Sequence, residues 1–347
     1  MTIRVGIIGL GYGRQVLIPA FRADDRVHIR AVAARRIGKA AECAAAEGID
    51  LWFDDWRRML AEAGLDAVAV ACPPSAQPEM VCAALGHGLA VFCEKPVATD
   101  PADASRMATA AEKAGRPNMV DFLFPELETW RRAKAMVDAA EFGRPLHAHL
   151  SWHFLSYAVA HGLDSWKRVG IEGGGVVAPV LSHSFHALEW LFGPISGISA
   201  RLAPDDRRET SAILALAFDS GMTASVGASI DSAPLREHRL DVTFAHGCLR
   251  LENSSGDHAS GFRLLAGSHG DGSMALIAEE TATGGDGRIV PASRLARRFC
   301  DWIADGTPGG PTLADGLRVQ RLIAATGRAH RDRVWIPVDG DAGILGL

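Results

Sequence analysis

Val5-Gly6-Ile7-Ile8-Gly9-Leu10-Gly11-Tyr12-Gly13 joins a short apolar run to a glycine-rich turn. That order suits one task, which is to bring backbone N–H groups up to a pyrophosphate where a helix begins. Gly9 and Gly11 have dinucleotide spacing, but the third glycine of G-x-G-x-x-G is displaced: Gly13 comes one place early and Arg14 stands in its position. An ordinary tight strand-to-helix turn is the competing reading. A second apolar run, Leu89-Ala90-Val91-Phe92-Cys93, is followed at once by Glu94-Lys95-Pro96. This places an ammonium at the carboxyl end of a strand, where ligands of open α/β sheets bind. Partly desolvated beside an oxidised nicotinamide, Lys95 would have its pKa lowered and could exchange a proton with a substrate hydroxyl. A solvated surface lysine is the alternative.

Other residues fit around this pair. At the end of the apolar run Val27 to Ala33 the chain reads Ala33-Ala34-Arg35-Arg36, with Lys39 nearby, where an NAD-preferring fold usually carries an acid for the ribose hydroxyls. The missing carboxylate and added cations favour a 2′-phosphate, hence NADP(H), with NAD(H) as the alternative; solvated charges at a helix start would read the same way. Cys72-Pro73-Pro74-Ser75 cannot extend a strand ladder and would stiffen a loop beside the nicotinamide ribose, or serve only as a turn. Gly173-Gly174-Gly175 leads into a helix bearing His183 and His186, three residues apart and so on one face. Two such histidines can ligate a metal, yet no third ligand is evident and a metal is the weaker reading. His183 is the better candidate for a base, against the plain alternative of a structural histidine. Trp152, His153, Tyr157, Trp166 and Lys167 supply rings and donors that could line a polar substrate site or simply pack.

The elements that must position these residues fall into two sets. From Ile3 to Phe122 short apolar runs (Val27 to Ala33, Ala67 to Ala71, Ala90 to Cys93, Met119 to Phe122) alternate with alanine-rich helical stretches, the rhythm of βαβ units and a parallel sheet. One helix is marked at both ends, by Asp100 as N-cap, Pro101, Asp103 in the first turn and Gly115 after the last. Beyond Phe124 a helix from about Pro125 to Ala140 leads into alternating segments: His147 to Phe154, Ala212 to Phe218, Met222 to Ile230, Arg239 to Ala245 and Cys248 to Glu252. Close turns such as Asp219-Ser220-Gly221 make these antiparallel. Helices from about Gly173 or Val176 to Phe192 and from about Leu313 to Ala329 complete the set. The fold class expected is α/β: a Rossmann domain over 1–123, then an α+β domain over 124–347 that binds substrate and forms oligomers.

At 347 residues, two domains are the natural expectation. With 36 basic against 41 acidic side chains the net charge is −5, and no long basic run is present to track a phosphate backbone, which argues against nucleic acid as a partner. Nothing approaches the ~20 apolar residues of a membrane span. Six scattered cysteines without a CxxC pair suit a reducing cytoplasm.

Taken together, the GxGxG turn, Pro73-Pro74, Glu94-Lys95-Pro96, Gly173-Gly174-Gly175 followed by His183, and the late Asp315-Gly316 helix make the chain resemble the glucose-fructose oxidoreductase, inositol dehydrogenase and rhizopine catabolism (Gfo/Idh/MocA) family of NAD(P)-dependent oxidoreductases. The likeness spans nearly the whole chain. It implies a second domain built on an open, mainly antiparallel sheet, which commonly serves substrate on one side and subunit contacts on the other, hence a homo-dimer or homo-tetramer. It also implies that Lys95 and His183 occupy the positions of the family's catalytic lysine and histidine. Gly9, Gly11, Tyr12, Gly13, Arg14, Arg35, Arg36, Cys72, Pro73, Pro74, Gln77, Glu94 and Lys95 would then face the cofactor, and Lys95, Trp166, Lys167, His183 and His186 the substrate.

Four positions depart from the family pattern. Many members carry an aspartate four residues before the histidine, where this chain has Pro179, and another three after it, where it has His186. A glycine two before the histidine is Leu181, and the histidine often found after the paired prolines is Gln77. Asp164, Glu172 or His186 are the candidates to orient His183 in place of the absent carboxylates. The leading expectation is hydride transfer to or from a small polar substrate, a sugar-like or cyclic alcohol and its ketone. Imine or dihydrodiol chemistry, an NAD-dependent glycosidase, and a non-catalytic NAD(P)-binding sensor are the alternatives.

Overall fold

The computed structural model describes residues 1–163, 165–205, 208–281 and 284–338. Its chain contacts divide into two compact units, one of Met1–Leu123 with Arg288–Gln320, the other of Phe124–Gly287 with the chain from Arg321 onward.

The first unit is a doubly wound parallel sheet. Its strands are β1 (Ile3–Ile8), β2 (Val27–Ala33), β3 (Leu51–Phe53), β4 (Ala67–Val70), β5 (Ala90–Cys93) and β6 (Asn118–Val120), in the order β3-β2-β1-β4-β5-β6. The order reverses between β1 and β4, which makes that crevice the ligand position in folds of this type. β4 and β5 are buried along their whole length, as expected of strands covered on both faces. The helix Pro101–Ala114 starts and stops at the residues its sequence marks. The Asp100 carboxylate accepts from the Asp103 amide at 2.9 Å, and Gly115 turns left-handed at φ 57°.

Arg288–Gln320 belongs with this sheet and not with the second domain expected over 124–347. The reason is apolar. The helix Ile289–Asp305 buries Phe299 edge-on against Phe21 and Phe92, with ring centroids 6.2 and 5.7 Å away. Asp301 meets the Arg26 guanidinium at 2.7 Å.

The second unit is built on a nine-stranded sheet. After β7 (Pro145–His153) come β8 (Ile195–Ala203), β9 (Ser211–Phe218), β10 (Thr223–Ser229), β11 (Glu237–Phe244), β12 (Gly247–Asn253), β13 (Arg263–Ser268), β14 (Ala275–Glu279) and β15 (Ile336–Pro337). They lie in the order β14-β13-β12-β11-β7-β10-β9-β8-β15. All neighbours are antiparallel except β7 and β10. Alternate residues, such as Leu240, Val242 and Phe244 of β11, point into the core. The opposite face carries His147, His149 and His153 of β7, which bond the hydroxyls of Thr223, Ser225 and Ser229 at 2.8, 2.9 and 2.7 Å. It also carries Ile213, 71% exposed. Among the described residues no helix is long and apolar enough to cross a membrane.

Candidate active site

In the first unit the glycine turn follows β1. Gly9 sits at φ 93°, and a Cβ there would collide with the Ala71 carbonyl and approach the Cys72 Sγ to 2.9 Å, so only glycine fits. A Cβ on Gly11 would meet nothing within 4 Å, which leaves its backbone open to a ligand. Gly13 does the work of the third glycine. A Cβ there would stand 2.9 Å from the Ile7 Cγ2, so its absence lets the helix pack against β1. The early position is accommodated because the first turn, Gly13–Leu17, is a wide π-helical turn that becomes regular only at Ile18–Arg22.

Glu94, Lys95 and Pro96 leave the carboxyl end of β5, and the loop is gripped from two directions. Gln77, the first residue of the helix Gln77–Gly86, is completely buried. Its Nε2 donates to the carbonyls of Glu94 at 2.9 Å, Pro96 at 2.8 Å and Val97 at 3.4 Å. Three carbonyl acceptors require the nitrogen end of the amide to face them. On the other side, Gly316 in the helix Leu313–Asp332 comes so close that a Cβ would lie 2.8 Å from the Val97 Cγ1. At the start of that helix the Thr312 amide and hydroxyl donate to the Asp315 carboxylate at 2.7 and 2.8 Å, the carboxylate half of a capping box.

A group of buried ionisable residues surrounds the lysine loop. Asp121, fully buried, follows β6 and adjoins the Tyr12 hydroxyl, though neither of its oxygens completes a hydrogen bond of full geometry. Burial pushes its carboxyl up to about 6, against the lowering pull of Tyr12, Lys95 and Arg288. Burial likewise pushes Glu94 up to about 8, countered by Lys95 and reinforced by Asp121. Glu94 keeps partial access to solvent. The Tyr12 hydroxyl is raised well above its ordinary value by burial and by both acids. The Arg288 guanidinium lies over the Tyr12 ring at 5.3 Å.

The residues expected to hold the cofactor separate into those facing this end of the sheet and those that do not. Arg35 and Arg36 are exposed just past β2, and among the described residues neither forms an ion pair with a carboxylate. Cys72, whose thiol burial pushes up to about 11, feels the charge of Arg35. Pro73 and Pro74 follow, with the Pro73 carbonyl closing a turn on the Ala76 amide at 2.9 Å. Arg14 is drawn away to Glu47 at 3.2 Å. Gln77, expected at the cofactor, turns inward because the buried carbonyls of the lysine loop need its donors.

In the second unit His183 lies on the helix Ser182–Phe192 and stands among rings, 5.2 Å from Phe124 and 6.4 Å from Trp152. Trp152 in turn stacks flat on His238 at 4.1 Å, and burial lowers the His238 imidazole to about 3, so it is neutral. His186 is one turn on, half-buried. The helix is entered through a π-helical turn, Val177–Leu181, that contains Pro179. Gly174 and Gly175 fix the approach. A Cβ on Gly174 would strike the Trp166 carbonyl, and one on Gly175 the Glu209 carboxylate. The Gly175 amide donates to the Lys167 carbonyl at 2.9 Å. Lys167 itself is exposed and Trp166 half-buried. Of the proposed orienting groups, Glu172 is exposed and Asp164 lies outside the described residues. Glu209, only 3% exposed, is a buried carboxylate that no sequence pattern had singled out.

Comparison with known proteins agrees with both units. Residues 3–122 match the model of an oxidoreductase family with an NAD-binding Rossmann fold, and residues 130–250 that of the Gfo/Idh/MocA C-terminal domain. The chain is 27% identical to inositol 2-dehydrogenase of Burkholderia cenocepacia, over 97% of each protein. It is 28% identical to D-xylose 1-dehydrogenase (NADP(+)) 2 of Haloferax volcanii, over 69% of this chain and 73% of that protein. Among solved structures, levoglucosan dehydrogenase in complex with NADH and levoglucosan is similar with a TM-score of 0.88 over 98% of this chain and all of that one, at 19% identity. At that identity the likeness concerns the fold.

Proposed function

Since the chain belongs to the Gfo/Idh/MocA family of NAD-binding oxidoreductases, we propose that it is an NADP(H)-favouring dehydrogenase of a sugar-like or cyclic alcohol and its ketone. The observation that carries this reading is the position of Lys95, at the carboxyl end of β5 in the same parallel sheet whose β1 ends in the Gly9–Gly13 turn. The open backbone at Gly11 and the close packing at Gly13 suit a dinucleotide. Arg35 and Arg36, past β2, would take its 2′-phosphate. NADP, when bound, supplies hydride exchange at its nicotinamide.

The protein's own groups supply the rest. The Lys95 ammonium stabilises negative charge on the substrate oxygen as the carbonyl and alcohol interconvert. His183 gives or takes the accompanying proton, its aromatic neighbours limiting the ring's movement. The relatives whose names specify inositol and D-xylose support a polyhydroxylated substrate.

A fluorescence titration with NADPH, NADH and their oxidised forms, repeated on Arg35→Asp, tests the cofactor half. Binding of NADPH that weakens about 10- to 100-fold in the variant, with NADH little changed, is expected from loss of a charge-assisted contact. Equal affinity for both cofactors in both proteins would refute the phosphate assignment. Turnover is then screened on myo-inositol, D-xylose, D-glucose and levoglucosan, and no reduction of NADP or NAD with any polyol would count against the substrate class.

A further inference from the structure

We propose that Gln77 is a positioning residue for Lys95, an inference that rests on the reading of Lys95 given above. Chain geometry creates the need. Past β5 the carbonyls of Glu94, Pro96 and Val97 have left the strand ladder, Pro96 carries no N–H, and Pro96 and Val97 are buried. Buried carbonyls without donors are costly, and main-chain amides are not available to all of them. One side-chain amide on the neighbouring crossover helix serves all three. The acceptors flank Lys95 on both sides, so the amide fixes where the lysine backbone stands and where its side chain departs. The Gln77 Oε1 has no partner among the described residues, which makes donation to this loop the function of the side chain. Gly316 packs closely on Val97 but, among the described residues, forms no bond to the Glu94 or Pro96 carbonyl.

Gln77→Met keeps length and bulk while removing both donors. Only five lysines occur in the chain (Lys39, Lys95, Lys113, Lys134, Lys167), so the ammonium resonances of protein labelled with [13C,15N]-lysine are few, and Lys95→Arg assigns the one of interest. In Gln77→Met the Lys95 resonance is expected to move or broaden while the other four hold. NADPH affinity should stay within about twofold. The kcat on the best polyol of the screen should fall about 10- to 100-fold, the scale of a misplacement near 1 Å. Gln77→Asn, which retracts the amide by one methylene, replaces the Met variant if that does not fold and should behave alike. A Lys95 resonance unmoved in the folded variant overturns the proposal. Because that resonance is read without turnover, it decides the role of Gln77 even if the wild type oxidises none of the polyols, a result that would instead count against the dehydrogenase reading.

Discussion

Asp121 and Glu94 leave neighbouring parallel strands at the same level: Val120 pairs with Cys93 in register, and the Asp121 amide donates to the Cys93 carbonyl at 2.9 Å. Two carboxyl groups therefore stand side by side at the base of the lysine loop. Both are made harder to ionise by burial, and Glu94 also by the charge of Asp121.

This pair makes stability depend on pH. A carboxyl whose pKa is raised on folding keeps its proton longer in the native state, so the native state binds more protons between the two values and stability falls as pH rises through that window. For Asp121 the window runs from its ordinary 3.8 up to about 6. Glu94 extends the same trend from 4.5 towards about 8. Asp121→Asn should therefore melt several degrees above the wild type at pH 8, with the difference shrinking at pH 4. Melting curves across that range check this, and a variant no more stable at pH 8 would show that the buried acid carries no such penalty.

Lys95→Ala should lower turnover by about 10²- to 10⁴-fold, the usual range for a group that stabilises or transfers charge in the reacting complex. NADPH affinity should stay nearly intact. His183→Asn should show a loss in the same range, with the pH dependence of kcat flattened because the titrating imidazole is gone. Wild-type rates in Lys95→Ala would remove the lysine from the mechanism.

Two of the turn's three glycines, Gly11 and Gly13, are separable. Gly13→Ala drives a methyl towards Ile7 and should cost about 1–3 kcal/mol of stability. Gly11→Ala meets open space, so it should fold with wild-type stability and lose cofactor affinity instead. Denaturant melts paired with NADPH titrations distinguish the outcomes; matched effects in both variants would mean that the turn is not a ligand cradle.

The outward face of the nine-stranded sheet, with Ile213 standing clear and a row of histidine–hydroxyl pairs beside it, is expected to meet another copy of the chain. Light scattering should find a dimer or tetramer for the wild type and a shift towards monomer for Ile213→Arg. A wild type that is monomeric at micromolar concentration would contradict this.

Much of the first unit could be read directly because its signals are local. Alternation and caps mark Val27–Ala33, Ala90–Cys93 and Pro101–Ala114, and the structure ends each within a residue or two of its marks. What escaped depends on distant partners. The helix Ile289–Asp305 was not foreseen, since its membership in the first unit is decided by Phe21 and Phe92, far away in sequence. The strand Ala275–Glu279 is almost wholly exposed at a sheet edge and has no buried stripe to announce it. The resemblance puts Gln77 among the cofactor contacts, where many family members carry a histidine after the paired prolines; its burial follows from carbonyls seventeen to twenty residues on. Glu209 gave no sign either, since its place is set by the lack of a side chain at Gly175.

The aromatic triangle of Phe21, Phe92 and Phe299 has a consequence for biosynthesis. Two of its corners precede Phe124–Gly287 in the chain, and the third follows it. The dinucleotide unit therefore cannot close its core while it is being made, and must wait, with Phe21 and Phe92 uncovered, until the whole intervening unit has been translated. A gene fragment ending at Leu123 would encode the glycine turn and the lysine loop, yet release a chain with an open apolar seam, prone to self-association and to capture by chaperones.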